Sequence, residues 1–157
     1  MKQQRLLLDL AKFQSQLKFR KANGVIHIYD PIRDRYMVQT PEELVRQLLI
    51  LYLQQELNWP MKLIAVEKML VVNERRKRFD ILCILPNGKP ILLIECKSPK
   101  VPISLSTFEQ VSAYNLSLKV PYLLVSNGLV SYCCKVDLIA GEFDFLDSVP
   151  SFEQLSY

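Results

Sequence analysis

The chain lacks the features that mark several common protein classes. It has four glycines in 157 residues and no G-x-x-x-x-G-K-[ST] segment, which excludes an ATP-driven motor built on a phosphate-binding loop. His27 is the only histidine, so a catalytic site that uses two histidines is excluded. No apolar run is long enough to span a bilayer, and no signal peptide is recognisable. These absences predict a cytoplasmic protein that does not insert into a membrane.

The four cysteines form no C-x-x-C pair. Cys83 and Cys96 lie inside apolar segments, and Cys133 and Cys134 are adjacent. This spacing favours neither a zinc ribbon nor a thioredoxin-like site. We therefore expect reduced, buried thiols, as is usual in a cytosolic protein.

The composition predicts one folded domain. Half of the residues are hydrophobic, and a chain of this length can bury a substantial core. We expect a single domain over residues 1–157, in which residues 1–24 are an N-terminal arm or helix and residues 25–157 form the core. The net charge of +4 permits nucleic-acid binding without establishing it.

The pattern along the chain predicts an α/β fold with a central mixed sheet flanked by helices. Thr40-Pro41-Glu42-Glu43 has the composition of a helix start, with a cap, a proline and acids in the first turn. The remaining elements follow from alternation and turn residues. Predicted helices cover 40–57 and 107–119, and predicted strands cover 25–29, 36–39, 64–72, 78–85, 90–97, 122–126, 130–135 and 143–146.

The segment from Arg78 to Lys97 is the most informative part of the sequence. Two apolar runs flank Asn87-Gly88, a strong hairpin signal. Folding back at this turn places Asp80 near Glu95 and Lys97 at one end of the sheet. Alternation of side chains predicts two further groupings. It places Phe79 on the face of Ile81 and Cys83, opposite Asp80 and Leu82, and it places Ile91 on the face of Leu93, Glu95 and Lys97.

Acids and an amine inside apolar strands are costly to bury unless they are paired or hold a metal ion. A buried ion-pair network is therefore one interpretation of Asp80, Glu95 and Lys97. The other is a metal site, because two carboxylates and a lysine suit metal-dependent phosphodiester cleavage. Gln110 and Tyr114, the end residues of Gln110-Val-Ser-Ala-Tyr114, share one face of a helix. Taken alone they are better interpreted as a surface glutamine and a packed tyrosine. Only their position in order after the acids and the lysine favours the second interpretation.

Taken in order, these residues resemble the PD-(D/E)xK nuclease superfamily, and more closely the N-terminal nuclease domain of type I restriction enzyme R subunits. The matching features are an acid in an early helix, Asp80, Glu95-Cys96-Lys97, and a Q-x3-Y motif at Gln110 and Tyr114. The resemblance covers most of residues 30–135. Phe79 stands where the superfamily has proline. The resemblance implies a restriction-endonuclease-like core and a metal-dependent DNA endonuclease that works beside other restriction-system subunits or a separate motor protein.

The resemblance also implies roles for the site residues. Asp80, Glu95 and the backbone carbonyl of Cys96 would hold Mg²⁺ or Mn²⁺, which prefer hard oxygen ligands. Lys97 would orient the attacking water or stabilise charge on the phosphate. Gln110 and Tyr114 would position Lys97 or the DNA backbone.

Two assignments stay open at the level of sequence. Either Glu42 or Glu43 is the helix acid of the site. We favour Glu42, because Glu43 lies three residues after Thr40 and a capping box accounts for it. The basic run Arg75, Arg76, Lys77 and Arg78 is either a solvated loop or a set of phosphate contacts. A nuclease-fold module that binds DNA or protein without cutting remains the alternative function.

Overall fold

A six-stranded mixed sheet forms the centre of the protein. Its structure, a computed structural model, is described for residues 4–72 and 74–157, without the side chains of residues 70–72, 75, 77, 114 and 116. Numbered along the chain, the sheet strands are β4 (Ile64–Val66), β7 (Ile81–Ile84), β8 (Pro90–Cys96), β9 (Tyr122–Ser126), β10 (Ser131–Val136) and β11 (Phe143–Leu146). The strand order is β11-β10-β9-β8-β7-β4.

One strand pair makes the sheet mixed. Strands β8 and β9 are parallel, whereas the other neighbouring pairs are antiparallel. A parallel connection needs a crossover, and helix α2 (Leu105–Leu118) provides it between these two strands. The α/β fold with a central mixed sheet and flanking helices is thus confirmed.

The two long helices cover opposite faces of the sheet. Helix α1 (Pro41–Gln55) buries Val45, Leu49 and Leu53 in one core with the β7 and β8 side chains. Phe108 and Val111 of α2 lie in a second core on the other face. A four-residue helix, α3 (Phe152–Leu155), completes the first layer. All four cysteines are buried and free, as predicted.

The predicted hairpin of β7 and β8 forms with an irregularity that changes two face assignments. The register pairs Cys83 with Leu92 but Ile84 with Pro90, so Ile91 is an extra residue in a β-bulge. Ile91 therefore packs in the α1 core, and the prediction that it shares a face with Leu93 is wrong. Phe79 lies before β7 begins, where alternation does not apply. It packs beside Leu82 in the α2 core rather than with Ile81.

The N-terminal segment is part of the folded structure. Residues Ala11–Gln16 form a 3₁₀ helix, and Leu10 and Phe13 are buried in the α1 core. Strand β1 (Phe19–Ala22) then pairs with β2 (Val25–Asp30), which pairs with β3 (Arg35–Val38). The described part of residues 1–24 is therefore not a loose arm, because it contains a short helix and a strand and places Leu6, Leu10 and Phe13 in the core.

The predicted strand over residues 64–72 is two strands. Glu67 has a positive φ of 48° and turns the chain between β4 and β5 (Met69–Val72). Strand β5 pairs with β6 (Arg75–Arg78) in a separate two-stranded sheet. The basic run therefore lies in a strand, which corrects the loop named in one of its two interpretations. In the described residues, no helix is long and apolar enough to cross a membrane.

Candidate active site

Three predicted site residues meet at one end of the central sheet. Asp80 directly precedes β7, Glu95 lies near the end of β8, and Lys97 follows that strand. Because Ile81 is paired with Ile94, the antiparallel register sets Asp80 opposite Glu95. The backbone N–H of Lys97 donates to the Ser126 carbonyl at 2.8 Å, which ties this end of β8 to β9.

Asp80 is held by contacts to both of its carboxylate oxygens. Arg46 donates from Nη2 to Oδ1 at 2.8 Å, and the backbone N–H of Cys96 donates to Oδ2 at 2.7 Å. The second contact links the carboxylate directly to the strand that carries Glu95. Each oxygen retains a further lone pair, so Asp80 can still act as a ligand.

Glu95 and Lys97 form an ion pair beside Asp80. Lys97 Nζ lies 2.9 Å from Glu95 Oε1. Burial and the charge of Asp80 raise the pKa of Glu95, although Lys97 opposes the shift. Burial by itself lowers the pKa of Lys97, but the carboxylates of Glu95, Asp80 and Glu42 outweigh it and raise that pKa. Lys97 is therefore a cation at neutral pH and suits charge stabilisation better than proton abstraction.

An arginine network that the sequence did not reveal surrounds Asp80. Arg46 also donates to Glu43 at 2.7 Å and lies 3.2 Å from Glu67. Arg33 donates to the same two glutamates, at 2.7 Å each, and to Asp30 at 2.5 Å. All of these side chains are mostly buried.

The network affects the ionisation of its members. Burial raises the pKa of Glu67, but Arg46, Arg33 and Arg78 outweigh it and lower the pKa overall. Burial likewise opposes the charge on Arg46, whereas Glu43 and Asp80 raise its pKa. One signal for Arg46 was present in the sequence. Arg46 is a charged residue one helical turn from Ile50, and it lies on a face of the helix whose other side chains are expected to pack in the core.

The two candidate helix acids have different surroundings. Glu43 is buried, and its carboxylate accepts from Arg33, Arg46 and Gln47. Only half of the expected capping box forms, because Thr40 Oγ accepts from the Glu43 N–H while the carboxylate turns to the arginines. The capping explanation for the Glu43 carboxylate is therefore wrong. Glu42 is exposed, and it is close enough to Lys97 to affect the pKa of that amine.

Among the remaining predicted residues, those whose side chains the structure describes do not join this cluster. Gln110 is exposed on α2, and no hydrogen bond of its side chain occurs within the described residues. The side chains of Tyr114, Arg75 and Lys77 lie outside the described residues. Arg76 and Arg78 are exposed on β6, and Arg78 donates to Glu67 at the edge of the arginine network. Their roles stay predictions.

The donor set permits a hard cation with few protein ligands. In the part of the chain that the structure describes, no three His, Cys, Asp or Glu side chains are arranged to hold a metal ion. Asp80 is nevertheless close enough to Glu95 for its negative charge to raise the pKa of Glu95. A cation bound between the two carboxylates would relieve their repulsion. Mg²⁺ commonly binds one or two carboxylates and keeps several waters, so the Asp80 and Glu95 carboxylates fit it.

Comparison with known proteins identifies the family. The structure is similar to a fragment assigned as an HsdR subunit of a type I restriction enzyme from Vibrio vulnificus YJ016, with a TM-score of 0.55 and 20% identity. The match covers 73% of this chain and 24% of that chain, so the likeness concerns the fold of about a quarter of the solved fragment. No curated protein sequence matches. The family model for the type I restriction enzyme R protein N terminus matches residues 41–150, more than half of the chain, and the protein belongs to this family.

Proposed function

We propose that the protein is the nuclease module of a type I restriction-like or related defence system and hydrolyses phosphodiester bonds in DNA with Mg²⁺ or Mn²⁺. The observation that carries the proposal is the convergence of Asp80, Glu95 and Lys97 at one end of the sheet, with Lys97 Nζ 2.9 Å from Glu95. Family membership supports a restriction-system module, and the donor set supports the chemistry.

Each residue of the site has a defined task in this proposal. Asp80, Glu95 and the Cys96 backbone carbonyl would hold the metal ion. When bound, such an ion polarises the phosphate and lowers the pKa of an attacking water. Arg46 and the Cys96 N–H keep the Asp80 carboxylate in place. Lys97 offers a positive charge where negative charge accumulates on the phosphate oxygens in the transition state.

A plasmid-nicking assay with Mg²⁺ tests the proposal. Lys97→Ala should abolish cleavage while the Kd for DNA stays near the wild-type value, because the lysine acts mainly in the transition state. Lys100→Ala is the matched control, since Lys100 is an exposed lysine three residues away. Cleavage that survives both Lys97→Ala and Asp80→Ala would place the activity elsewhere. Wild-type protein that binds DNA but never cuts it, with any divalent metal, would refute the nuclease.

One observation favours a second candidate, a DNA-binding module that does not cut. Arg46 and the Cys96 N–H already contact both oxygens of Asp80, and the guanidinium could serve in place of a metal ion. Calorimetric titration with Mn²⁺ separates the two functions. Binding by the wild type that is lost in Asp80→Ala supports the nuclease, whereas equal heats for both proteins favour the silent module.

A further inference from the structure

The sheet of β1, β2 and β3 has one face that is covered near the β2–β3 turn and one open face. Ile28 and Asp30 of β2 are fully buried on the covered side. The pairing of Arg20 with His27, and of Tyr29 with Tyr36, places these four residues on the open side. Val38 is paired with His27 and is about half exposed on the same side.

Two cations are held over two aromatic rings on this open face. The Tyr29 and Tyr36 rings have centroids 5.3 Å apart. The Arg20 guanidinium carbon lies 4.2 Å from the Tyr36 centroid, and Lys18 Nζ lies 5.7 Å from the Tyr29 centroid. Stacking on a ring restricts a long side chain while leaving its N–H donors available. The four residues Lys18, Arg20, Tyr29 and Tyr36 are called the cation–tyrosine stripe below.

The stripe cations differ from the other arginines near the site. The guanidinium N–H groups of Arg33 and Arg46 donate to carboxylates. Within the described residues, neither Lys18 nor Arg20 forms an ion pair or a side-chain hydrogen bond, and both are exposed. Residues 18–36 contain five basic residues and two acids, of which Asp34 accepts a hydrogen bond from the Tyr29 hydroxyl, so the surface keeps a net positive charge. Such a surface is complementary to a polyanion, and a guanidinium fork matches phosphate oxygens.

The sheet is attached to the candidate active site. The turn between β2 and β3 carries Arg33, which contacts Glu43 and Glu67. Tyr29 and Tyr36 form the cross-strand pair next to Asp30 and Arg35, where this turn begins. Strand β2 has six residues and extends about 20 Å from that turn at 3.3–3.4 Å per residue. This length corresponds to about six nucleotides of B-form DNA at 3.4 Å each.

We infer that the cation–tyrosine stripe is a binding surface for the phosphate backbone of DNA, which it holds beside the site; the inference rests on the proposed function. The contacts are to phosphates rather than to bases, because Lys18 and Arg20 occupy the faces of the tyrosine rings on which bases would stack. Binding at the stripe is therefore independent of sequence and sensitive to salt. Single-stranded and duplex DNA present the same phosphate chemistry and are separate arms of the test.

The test measures fluorescence anisotropy of labelled 30-mer DNA, duplex and single-stranded, in EDTA between 50 and 200 mM salt. Lys18→Gln combined with Arg20→Gln should weaken duplex binding. It should also reduce the slope of log K against log salt by about 2, since each lost phosphate contact contributes about 0.9. Lys89→Gln combined with Lys135→Gln is the matched control. It removes the same charge from two exposed lysines that lie outside the β1–β3 sheet.

A second pair of variants tests the ring itself. Tyr36→Leu removes the surface that holds Arg20 without changing the net charge, and it should raise the Kd. Tyr36→Phe keeps the ring and should bind as the wild type does. A stripe that only decorates the surface would give the same Kd for both variants, and this result would overturn the inference.

The remaining outcomes separate this inference from the nuclease itself. In the nicking assay the Lys18/Arg20 variant should raise KM and leave kcat within twofold. If it binds and cuts as the wild type does, the stripe is not the DNA surface, although the nuclease stands. If the Lys89/Lys135 control lost as much DNA affinity, the effect would come from net charge alone, and this result would overturn the inference. Wild-type protein without DNA affinity would refute the inference together with the proposed function.

Discussion

Arg46→Met is the perturbation that tests the arginine network most directly. Methionine has a similar length and fits an apolar helix face, but it removes the guanidinium that Glu43, Glu67 and Asp80 share. Breaking a buried ion pair by removing one partner costs about 3–5 kcal/mol. Glu43 and Glu67 keep Arg33 as a partner, so the low end, about 3 kcal/mol, is expected.

The expected loss is measurable by thermal and urea unfolding. For a domain of this size each kcal/mol lowers Tm by about 2–4 °C, so Tm should fall by about 6–12 °C. Lys12→Met is the control, because Lys12 pairs with Glu56 at 2.5 Å while both side chains are 43% exposed. Exposed pairs contribute about 0–1 kcal/mol. Equal losses for the two variants would refute the claim that burial makes the network important.

The pH dependence of this loss has a definite sign. Arg46 is one of the groups that lower the pKa of Glu67 below its ordinary value of 4.5. A carboxylate with a depressed pKa in the folded state stabilises the protein above the unfolded pKa, and this contribution disappears as pH falls through the folded pKa. The stability difference between the wild type and Arg46→Met should therefore be largest near pH 7 and decrease below about pH 4.5. A difference that grows on acidification would contradict the assignment of charges.

Two further predictions concern the metal site and the packing of α1. Asp80→Asn keeps an acceptor for the Cys96 N–H and should fold, but calorimetry should show that its Mn²⁺ binding is lost. Retained binding would remove Asp80 from the metal site. Gly128→Ala should lower the free energy of unfolding by more than Gly88→Ala does. Both glycines have positive φ, 86° and 84°, which costs about 1–2 kcal/mol for alanine, but only at Gly128 does the new Cβ meet Val45 Cγ2, at 3.1 Å. Equal decreases in the free energy of unfolding, measured with urea, would show that the Val45 side chain moves aside without destabilising the protein.

The sequence predicted the elements whose determinants are local. Strand β9 (Tyr122–Ser126) and strand β11 (Phe143–Leu146) have the predicted bounds, because turn residues and alternation define them. The convergence of Asp80 and Glu95 followed from one hairpin signal, Asn87-Gly88, and from the period of two along a strand. These features require only short-range information.

What the sequence did not predict depends on distant partners. Arg46 and Asp80 are 34 residues apart, as are Arg33 and Glu67, and no local pattern pairs them. The carboxylate of Glu43 had a plausible local partner in the Thr40 cap, yet two buried guanidinium groups hold it instead. The carboxylate would be charged in either contact, but two guanidinium groups add the attraction of opposite charges, which a backbone N–H lacks, so the tertiary contact prevailed over the local one.

The pattern of ion pairs divides the acids of this region into two groups. Asp30, Glu43 and Glu67 are committed to arginines in short, mostly buried contacts, and their carboxylates stabilise the fold around the sheet end. Glu95 has only the neighbouring Lys97 as its ion-pair partner in the described residues. Asp80 belongs to both groups, because Arg46 holds one of its oxygens while its charge raises the pKa of Glu95. A cation that binds between Asp80 and Glu95 would therefore relieve repulsion without dismantling the arginine network. For this reason the Asp80–Glu95 pair, rather than the larger acid cluster, is the place to test for metal.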